Sequence, residues 1–325
     1  MKILIIRFSS IGDIVLTSPI IRCVKKQITN AKVHYLTKNS YSNLIANNPY
    51  IDKLYTLSDN NFKKLVADLK NENYDLVIDL HRNIRTLKIK RAIKSKWLSF
   101  NKLNLKKWLF VNFKIDLLPD SHIIDRYFDG LKSINIKNDN LGVEYHFPNQ
   151  INLDFNQYNI YKNHYVIISL GATYFTKQIP NSTIMSLIKR LNNTPIVLIG
   201  AGETDVKKAN HIINNTSHKK IINLCNLLSI DESAFMIKNA KTIITGDTGM
   251  MHIASCFDVH IVTLWGNTHP KFGMYALVQK EQVQNYLINL SCHPCSKLGS
   301  DNCPRGHFNC MNMQDTEKIV HSLPQ

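Results

Sequence analysis

Short aliphatic runs alternate with amphipathic stretches from the first residues of this chain onward, and the alternation occurs twice. In the first half Lys2–Phe8, Lys32–Leu36, Lys53–Leu57 and Tyr74–Leu80 read as strands, with helices at Ser18–Gln27 and Asn60–Lys70. In the second half Tyr165–Leu170, Ile196–Ile199, Ile221–Leu224, Thr242–Thr245 and Val259–Trp265 read as strands, and a helix over Asp231–Asn239 starts behind a cap at Ser229 or Asp231. Apolar runs without a polar alternate face belong to strands covered on both sides, and strand–helix alternation builds a parallel sheet. The expected fold is therefore α/β, with two Rossmann-like, doubly wound domains facing each other across a cleft. A length of 325 residues suits two domains. The polar stretch from Asn149 to Lys162 marks the boundary, giving domains 1–155 and 156–325, with the last helix a candidate to pack back on the first domain.

In such sheets ligands bind beyond the carboxyl ends of strands, so the loops there carry the chemistry. The first strand runs into Ser9-Ser10-Ile11-Gly12-Asp13 and then a helix. Gly12 permits close approach of backbone to a ligand. Asp13, at the start of a helix, is of the right type to take a proton from an attacking hydroxyl. Ser and Asp are also ordinary capping residues, so the motif alone favours capping over catalysis. No G-x-G-x-x-G follows the strand, which disfavours a dinucleotide-dependent oxidoreductase.

The second motif is Gly246-Asp247-Thr248-Gly249-Met250-Met251-His252, placed after a strand and before the small-residue helix Ile253-Ala254-Ser255. Amides of Thr248, Gly249 and Met250 at a helix start form a cradle for a diphosphate, aided by the helix dipole. Asp247 serves either as a cap or as a partner for a sugar hydroxyl. His252 reads either as a buried core histidine or as a group reaching back to the same loop. Leu264-Trp265-Gly266-Asn267-Thr268-His269-Pro270 closes a neighbouring strand.

RFSSIGDIVLTSPI, YDLVIDLHRNIRT and GDTGMMHIASCFDVHIVTLWGNTHP together resemble glycosyltransferase family 9, the ADP-heptose:lipopolysaccharide heptosyltransferases, over nearly the whole chain. The resemblance implies the two-domain GT-B architecture, with the acceptor on the N-terminal domain and the nucleotide sugar on the C-terminal one. It implies an inverting transfer of heptose from ADP-heptose to the lipopolysaccharide inner core, either a lipid A-Kdo acceptor or a core heptose. Asp13 then matches the base, and Ser10, Gly12, Arg82 and Arg85 fall on the acceptor side. On the donor side Lys177 matches a phosphate contact and Glu203 a nucleoside contact. Asp247, Thr248, Gly249, His252, Gly266 and Thr268 match the diphosphate and heptose loops. Asn267 departs from the Pro common at that position, which touches the nucleoside pocket. No cofactor is required on this reading, stimulation by a divalent cation stays open, and a monomer is expected.

The net charge is +16, and no Asp or Glu occurs from Leu80 to Ile115. Arg82, Arg85, Lys88, Lys90, Arg91, Lys94, Lys96, Lys102, Lys106, Lys107 and Lys114 share that segment with Trp97, Phe100, Trp108 and Phe110. Cations mixed with aromatics suit an anionic membrane surface, and a solvated basic face is the plainer alternative. A nucleic-acid-binding protein, suggested by charge alone, lacks any recognised binding motif and leaves Asp13 and the GDTG loop without purpose. A catalytically inactive nucleotide-binding member of the family is a further rival, as is a member using another nucleotide sugar or acceptor. With no apolar run near 18 residues and no signal-peptide pattern at Met1–Arg7, the expected location is the cytoplasm, peripheral to the inner membrane. Cys292, Cys295, Cys303 and Cys310 raise a structural zinc site, but the last spacing is wide for one. Free thiols packed beside the nucleotide domain are the favoured reading, with no metal.

Overall fold

A computed structural model of the chain describes residues 1–278 and 280–324, and its residues divide into two compact units. The first holds Met1–Lys102 and Ser121–Pro148, the second Leu103–Asp120 and everything from Asn149 onward. The boundary near 148 sits close to the 155/156 division read from the sequence, but residues 103–120 belong to the second unit, not the first.

The elements of the first unit follow the chain as β1 (Lys2–Ile6), α1 (Ile11–Val15), α2 (Ser18–Gln27), β2 (Lys32–Lys38), α3 (Asn43–Ala46), β3 (Lys53–Leu57), α4 (Phe62–Asn71), β4 (Leu76–Asp79), α5 (Ile84–Ala92) and β5 (Lys96–Ser99). Its strands are parallel in the order β3-β2-β1-β4-β5. Ile3 to Ile6 of β1 are fully buried, because helices cover both faces of the central strand. The register sets Ile6 beside Asp79, so the loops after β1 and β4 leave the sheet at the same level. α2 carries proline in its first turn and turns Ile20, Ile21 and Val24 inward. Buried Arg22 of α2 makes two bonds to Asp139, at 2.8 and 2.7 Å, and an ion pair with Glu144 at 3.1 Å, which fastens the segment leading to Pro148.

The remaining elements are α6 (Asn104–Phe113), α7 (Ile123–Asp129), β6 (Val166–Ser169), α8 (Asn181–Arg190), β7 (Ile196–Ile199), α9 (Glu203–Asn214), β8 (Ile221–Asn223), α10 (Ile230–Lys238), β9 (Thr242–Gly246), α11 (Gly249–Ala254), β10 (His260–Trp265), β11 (Val283–Leu287), α12 (Asn309–Asn312) and α13 (Thr316–His321). Of these α7 belongs to the first unit and packs on α2. The second unit's sheet is parallel in the order β11-β10-β9-β6-β7-β8. Its core joins Ile168, Leu187, Leu198, Val262 and Leu264 to Met311 and Ile319 from the C-terminal helices. α13 lies on α8, where Ser186 and Thr316 hydroxyls meet at 2.7 Å and Arg190 pairs with Glu317 at 3.0 Å. The last helix packs within the second unit, where its buried Ile319 joins the core.

α6 meets the rest of the second unit through buried Phe110 and several polar ties. Phe110 is buried with its ring 5.3 Å from His269 and 5.8 Å from Phe272. Lys114 donates to the carbonyls of Cys292, at 2.9 Å, and Pro294, at 2.6 Å, and Lys271 pairs with Asp116.

Candidate active site

Strand order reverses between β1 and β4 in the first sheet and between β6 and β9 in the second. At such a reversal the connections depart to opposite faces and leave a crevice at the carboxyl edge. Each unit places its candidate residues at that point.

In the first unit the loop after β1 carries buried Arg7. Its Nε donates to Ser9 O at 2.9 Å, its Nη1 to Leu80 O beyond β4, and its Nη2 pairs with Asp13. Asp13 is the third residue of α1 and accepts from the amide and hydroxyl of Ser10 at 3.0 and 2.9 Å. Asp13 thus fills the capping position while its carboxylate also pairs with a buried guanidinium. Burial pushes the Asp13 carboxyl up, but the Arg7 charge and the Ser10 donors outweigh it and hold the group below the usual range. The carboxylate is therefore ionised at neutral pH. Ser10 is exposed beside it, and Gly12 is buried in the first turn of α1. His81, after β4, stacks edge-on against Phe8 at 4.9 Å. Burial and then the charges of Arg7 and Lys102 push it down to about 4, so it is neutral.

Arg82 and Arg85 take different places. Arg82 has a left-handed backbone, with φ 51°. Its Nη1 donates to Phe100 O at 2.5 Å and its carbonyl accepts from Lys102 at 2.9 Å, so it holds the exit of β5. Arg85 is exposed and lines a pocket with Lys38 and Lys88.

In the second unit three sequence-predicted residues converge on one atom. Lys177 Nζ lies 2.7 Å from Asp247 Oδ2, and Thr268 Oγ1 donates to the same oxygen at 2.8 Å. Asp247 and Thr268 are buried. Two glycines make this approach possible. A Cβ at Gly246 would stand 2.2 Å from the Lys177 carbonyl oxygen, and one at Gly266 would stand 2.0 Å from that of Thr176. The strip carrying Lys177 therefore lies directly over the ends of β9 and β10. Thr248 caps α11 with an extended backbone, and its hydroxyl meets Thr245 Oγ1 at 2.9 Å. Gly249 opens α11, and His252 lies buried within it. A helix start leaves amides without intrahelical partners, which suits phosphate oxygens.

Glu203 is exposed in the first turn of α9, whereas Asp205 is buried and accepts the Ala201 amide at 2.8 Å. Cβ atoms at Gly171 and Gly200 would stand 2.3 and 2.6 Å from Asp205 Oδ2, so both glycines are small to admit this carboxylate. Sequence reasoning missed Asp205 and Arg7. The glycines ending two strands signalled the first, and a charge closing an aliphatic strand signalled the second.

Asn267 is buried. Its side-chain amide donates to Ser300 Oγ at 2.9 Å, and its carbonyl accepts the amides of Cys295 and Ser296 at 3.0 and 3.1 Å. His293 reaches Thr268 O at 2.6 Å. The cysteine-bearing segment is therefore a clamp on the strip that holds Thr268. Cys295 lies 3.0 Å from Cys292 O, and Cys292 Sγ lies 3.8 Å from His307 Nε2. Burial and the neighbouring thiols push Cys295 up to about 11 and Cys310 up to about 12. Among the described residues no three His, Cys, Asp or Glu side chains stand as a metal-holding group.

Residues 62–304 match the model of glycosyltransferase family 9 (heptosyltransferase). The chain is 24% identical to lipooligosaccharide heptosyltransferase 2 of Campylobacter jejuni, covering 99% of this chain and 98% of that protein. It is also 24% identical to lipopolysaccharide heptosyltransferase 1 of Campylobacter coli, over 82% of this chain and 84% of the relative. Among solved structures, a glycosyl transferase family 9 protein from Veillonella parvula superposes with a TM-score of 0.78 at 17% identity, covering 99% of this chain and 95% of the other. The Escherichia coli heptosyltransferase WaaC with ADP gives 0.72 at 17% identity, covering 99% and 100%. These likenesses assign the two α/β units to the GT-B fold class.

Proposed function

The chain belongs to glycosyltransferase family 9, and from that premise we propose that it moves heptose from ADP-heptose to the inner core of lipopolysaccharide with inversion at the anomeric carbon. The observation that carries this reading is the Lys177–Asp247–Thr268 cluster at the strand reversal of the second unit. A cation paired with a carboxylate at a strand-end loop, next to a capped helix start, is equipped for a donor with a diphosphate and sugar hydroxyls. A bound diphosphate would draw Lys177 from Asp247, and the freed carboxylate would accept hydroxyls of the sugar. Lys177 and the amides of Thr248 and Gly249 would stabilise the charge growing on the leaving ADP. No cofactor enters this scheme, and adding a divalent ion to the transfer assay tests for stimulation.

Asp13 is the base. A carboxylate held below its usual range is ionised but weakly basic, so it takes the proton late, once the attacking hydroxyl has begun to bond to the anomeric carbon and turned acidic. Arg7 fixes its direction. Displacement in one step needs a single base and no covalent intermediate.

Contact with a membrane surface is assigned to α6 and the residues after it. Leu105, Trp108, Phe113, Ile115 and Leu117 are exposed there, next to Lys106. An amphipathic tryptophan among apolar and cationic side chains suits an anionic bilayer surface. The described residues contain no helix long and apolar enough to cross a membrane.

Calorimetric titration of ADP, GDP and UDP into the protein tests the donor. Selective ADP binding supports the reading. Preference for UDP or GDP overturns the ADP-heptose assignment within the family, and no binding of any of the three favours an inactive member.

A further inference from the structure

We infer that Cys292 and Cys295 are a peroxide-sensitive thiol pair, a modification site at which disulfide formation disturbs the loop holding Thr268. The effect on transfer rests on the reading of the second unit as the donor-binding one; the thiol chemistry does not.

The two cysteines are half-buried in the segment between β11 and α12. Cys295 Sγ donates to Cys292 O at 3.0 Å, and its thiol also bonds to the Cys292 side chain, so the sulfurs are neighbours before any reaction. His307 Nδ1 accepts the Asn309 amide at 3.0 Å, so Nε2 carries the ring proton, and Nε2 lies 3.8 Å from Cys292 Sγ. Lys114 Nζ is anchored on the carbonyls of Cys292 and Pro294, at 2.9 and 2.6 Å, and its charge acts on Cys295. A donor aimed at the sulfur, a nearby cation and partial exposure are the setting of a reactive cysteine. Cys310, by contrast, is buried in the core beside Met311, and burial pushes its thiol up to about 12.

Cys292 is the attacking sulfur. It breaks the O–O bond of hydrogen peroxide, gains a hydroxyl to become a sulfenic acid, and its own proton leaves with the other oxygen as water. Cys295 then attacks that sulfur; the S–O bond breaks, the hydroxyl leaves with the Cys295 proton as water, and an S–S bond forms. Two thiols are oxidised and one peroxide is reduced to two waters. Cys295 is pushed up to about 11 by burial first and then by the charge of Cys292. The second cause vanishes once Cys292 is a neutral sulfenic acid, so the order of attack is built into the pair.

The pair reaches the donor site through its own backbone. Between the two sulfurs His293 donates to Thr268 O at 2.6 Å, and the amides of Cys295 and Ser296 donate to Asn267 O at 3.0 and 3.1 Å. Thr268 in turn donates to Asp247. A covalent S–S bond is much shorter than a hydrogen bond between thiols. Closing it draws Cys292 and Cys295 together and shifts His293 and the Cys295 amide against the loop they hold.

The test treats the full chain with stoichiometric hydrogen peroxide and then with trypsin. The fragment from Glu281 to Lys297 carries Cys292 and Cys295 and no other cysteine, so their disulfide shows as the loss of two hydrogens from that one fragment. Wild type should show this loss, fall by at least about tenfold in kcat/KM for transfer, and recover on dithiothreitol. Cys292→Ser should transfer at the wild-type rate and stay active in peroxide; Cys295→Ser replaces it if that variant does not fold. Retention of both hydrogens, oxygen added at Cys292 without a disulfide, or a disulfide formed elsewhere overturns the proposal. So does a Cys292–Cys295 disulfide that leaves transfer unchanged. A reduced protein that binds no ADP removes the donor reading instead, while the fragment mass still reads the thiol pair.

Discussion

Replacing Gly246 by alanine tests how Lys177 is held. The new Cβ would stand 2.2 Å from the Lys177 carbonyl oxygen. Carbon–oxygen contacts close at about 3.3 Å, so one side must give by about 1 Å. Gly246 is the last residue of β9 and is paired in register with Leu264 of β10, whereas Lys177 ends a single 3-10 turn, Phe175–Lys177, in the connection after β6. That short turn is the softer partner and moves. A shift of that size misplaces Nζ, now 2.7 Å from Asp247, relative to any bound diphosphate. Misplacement by about 1 Å at a reacting centre costs roughly 10²-fold in rate, or about 2.7 kcal/mol in the barrier. Overpacking also lowers stability by about 1–3 kcal/mol, a drop of a few degrees in Tm for a chain of this size. The assay is kcat/KM for transfer alongside ADP affinity and thermal melting. Gly266→Ala, whose Cβ would meet Thr176 O at 2.0 Å, should behave alike. A Gly246→Ala protein with wild-type ADP affinity and turnover would refute the claim that these glycines seat Lys177.

Asp13→Asn should lower turnover by about 10²–10⁴-fold with ADP affinity unchanged, and near-normal turnover would remove Asp13 from the chemistry. In wild type the activity should fall on acidification only below the usual carboxylate range, because Arg7 helps hold Asp13 down. Arg7→Gln removes that charge while burial remains, so the acidic limb of the kcat/KM profile should move to higher pH; an unmoved limb would mean that Asp13 is not the titrating group. His269 is pushed down to about 4, by burial first and then by His293 and Lys271. The unfolded chain protonates there near pH 6.5, so this contribution to stability is complete above that pH and is lost as pH falls toward 4. His269→Gln should flatten that part of the Tm–pH curve, and an identical curve would contradict it. Exhaustive chelation should leave transfer within about twofold and elemental analysis should find no stoichiometric zinc or iron; about one metal per chain would replace the free-thiol reading of Cys292, Cys295, Cys303 and Cys310.

The sheet strands with unbroken aliphatic cores were legible because burial on both faces leaves no other pattern. KILII, YDLVIDL, YVIISL and IVLI each became a central strand. The edge strands β5 and β11 were not legible. Lys96-Trp97-Leu98-Ser99 and Val283–Leu287 are half-exposed, so their composition looks like surface, and β5 was read as part of a basic interface. That one basic segment in fact contributes α5 and β5 to one unit and α6 to the other. Its charge is uniform, but its buried aromatics part company: Phe100 packs on Tyr127 in the first unit, and Phe110 lies beside Phe272 in the second.

The sequence by itself determined the α/β class and the loops that matter, because both follow from local periodicity and from the residues a strand-to-helix turn requires. It also marked Asp13, Lys177, Asp247 and Thr268 as residues of interest. Only the tertiary structure decided that Lys177 and Thr268 share one oxygen of Asp247, that Arg7 holds Asp13 ionised, and that Asp205 rather than Glu203 sits in the loop after β7. Those pairings join residues from separate strand ends or depend on which side chain a loop turns inward. Strand order and register set such distances, and neither is written in any local stretch of the chain.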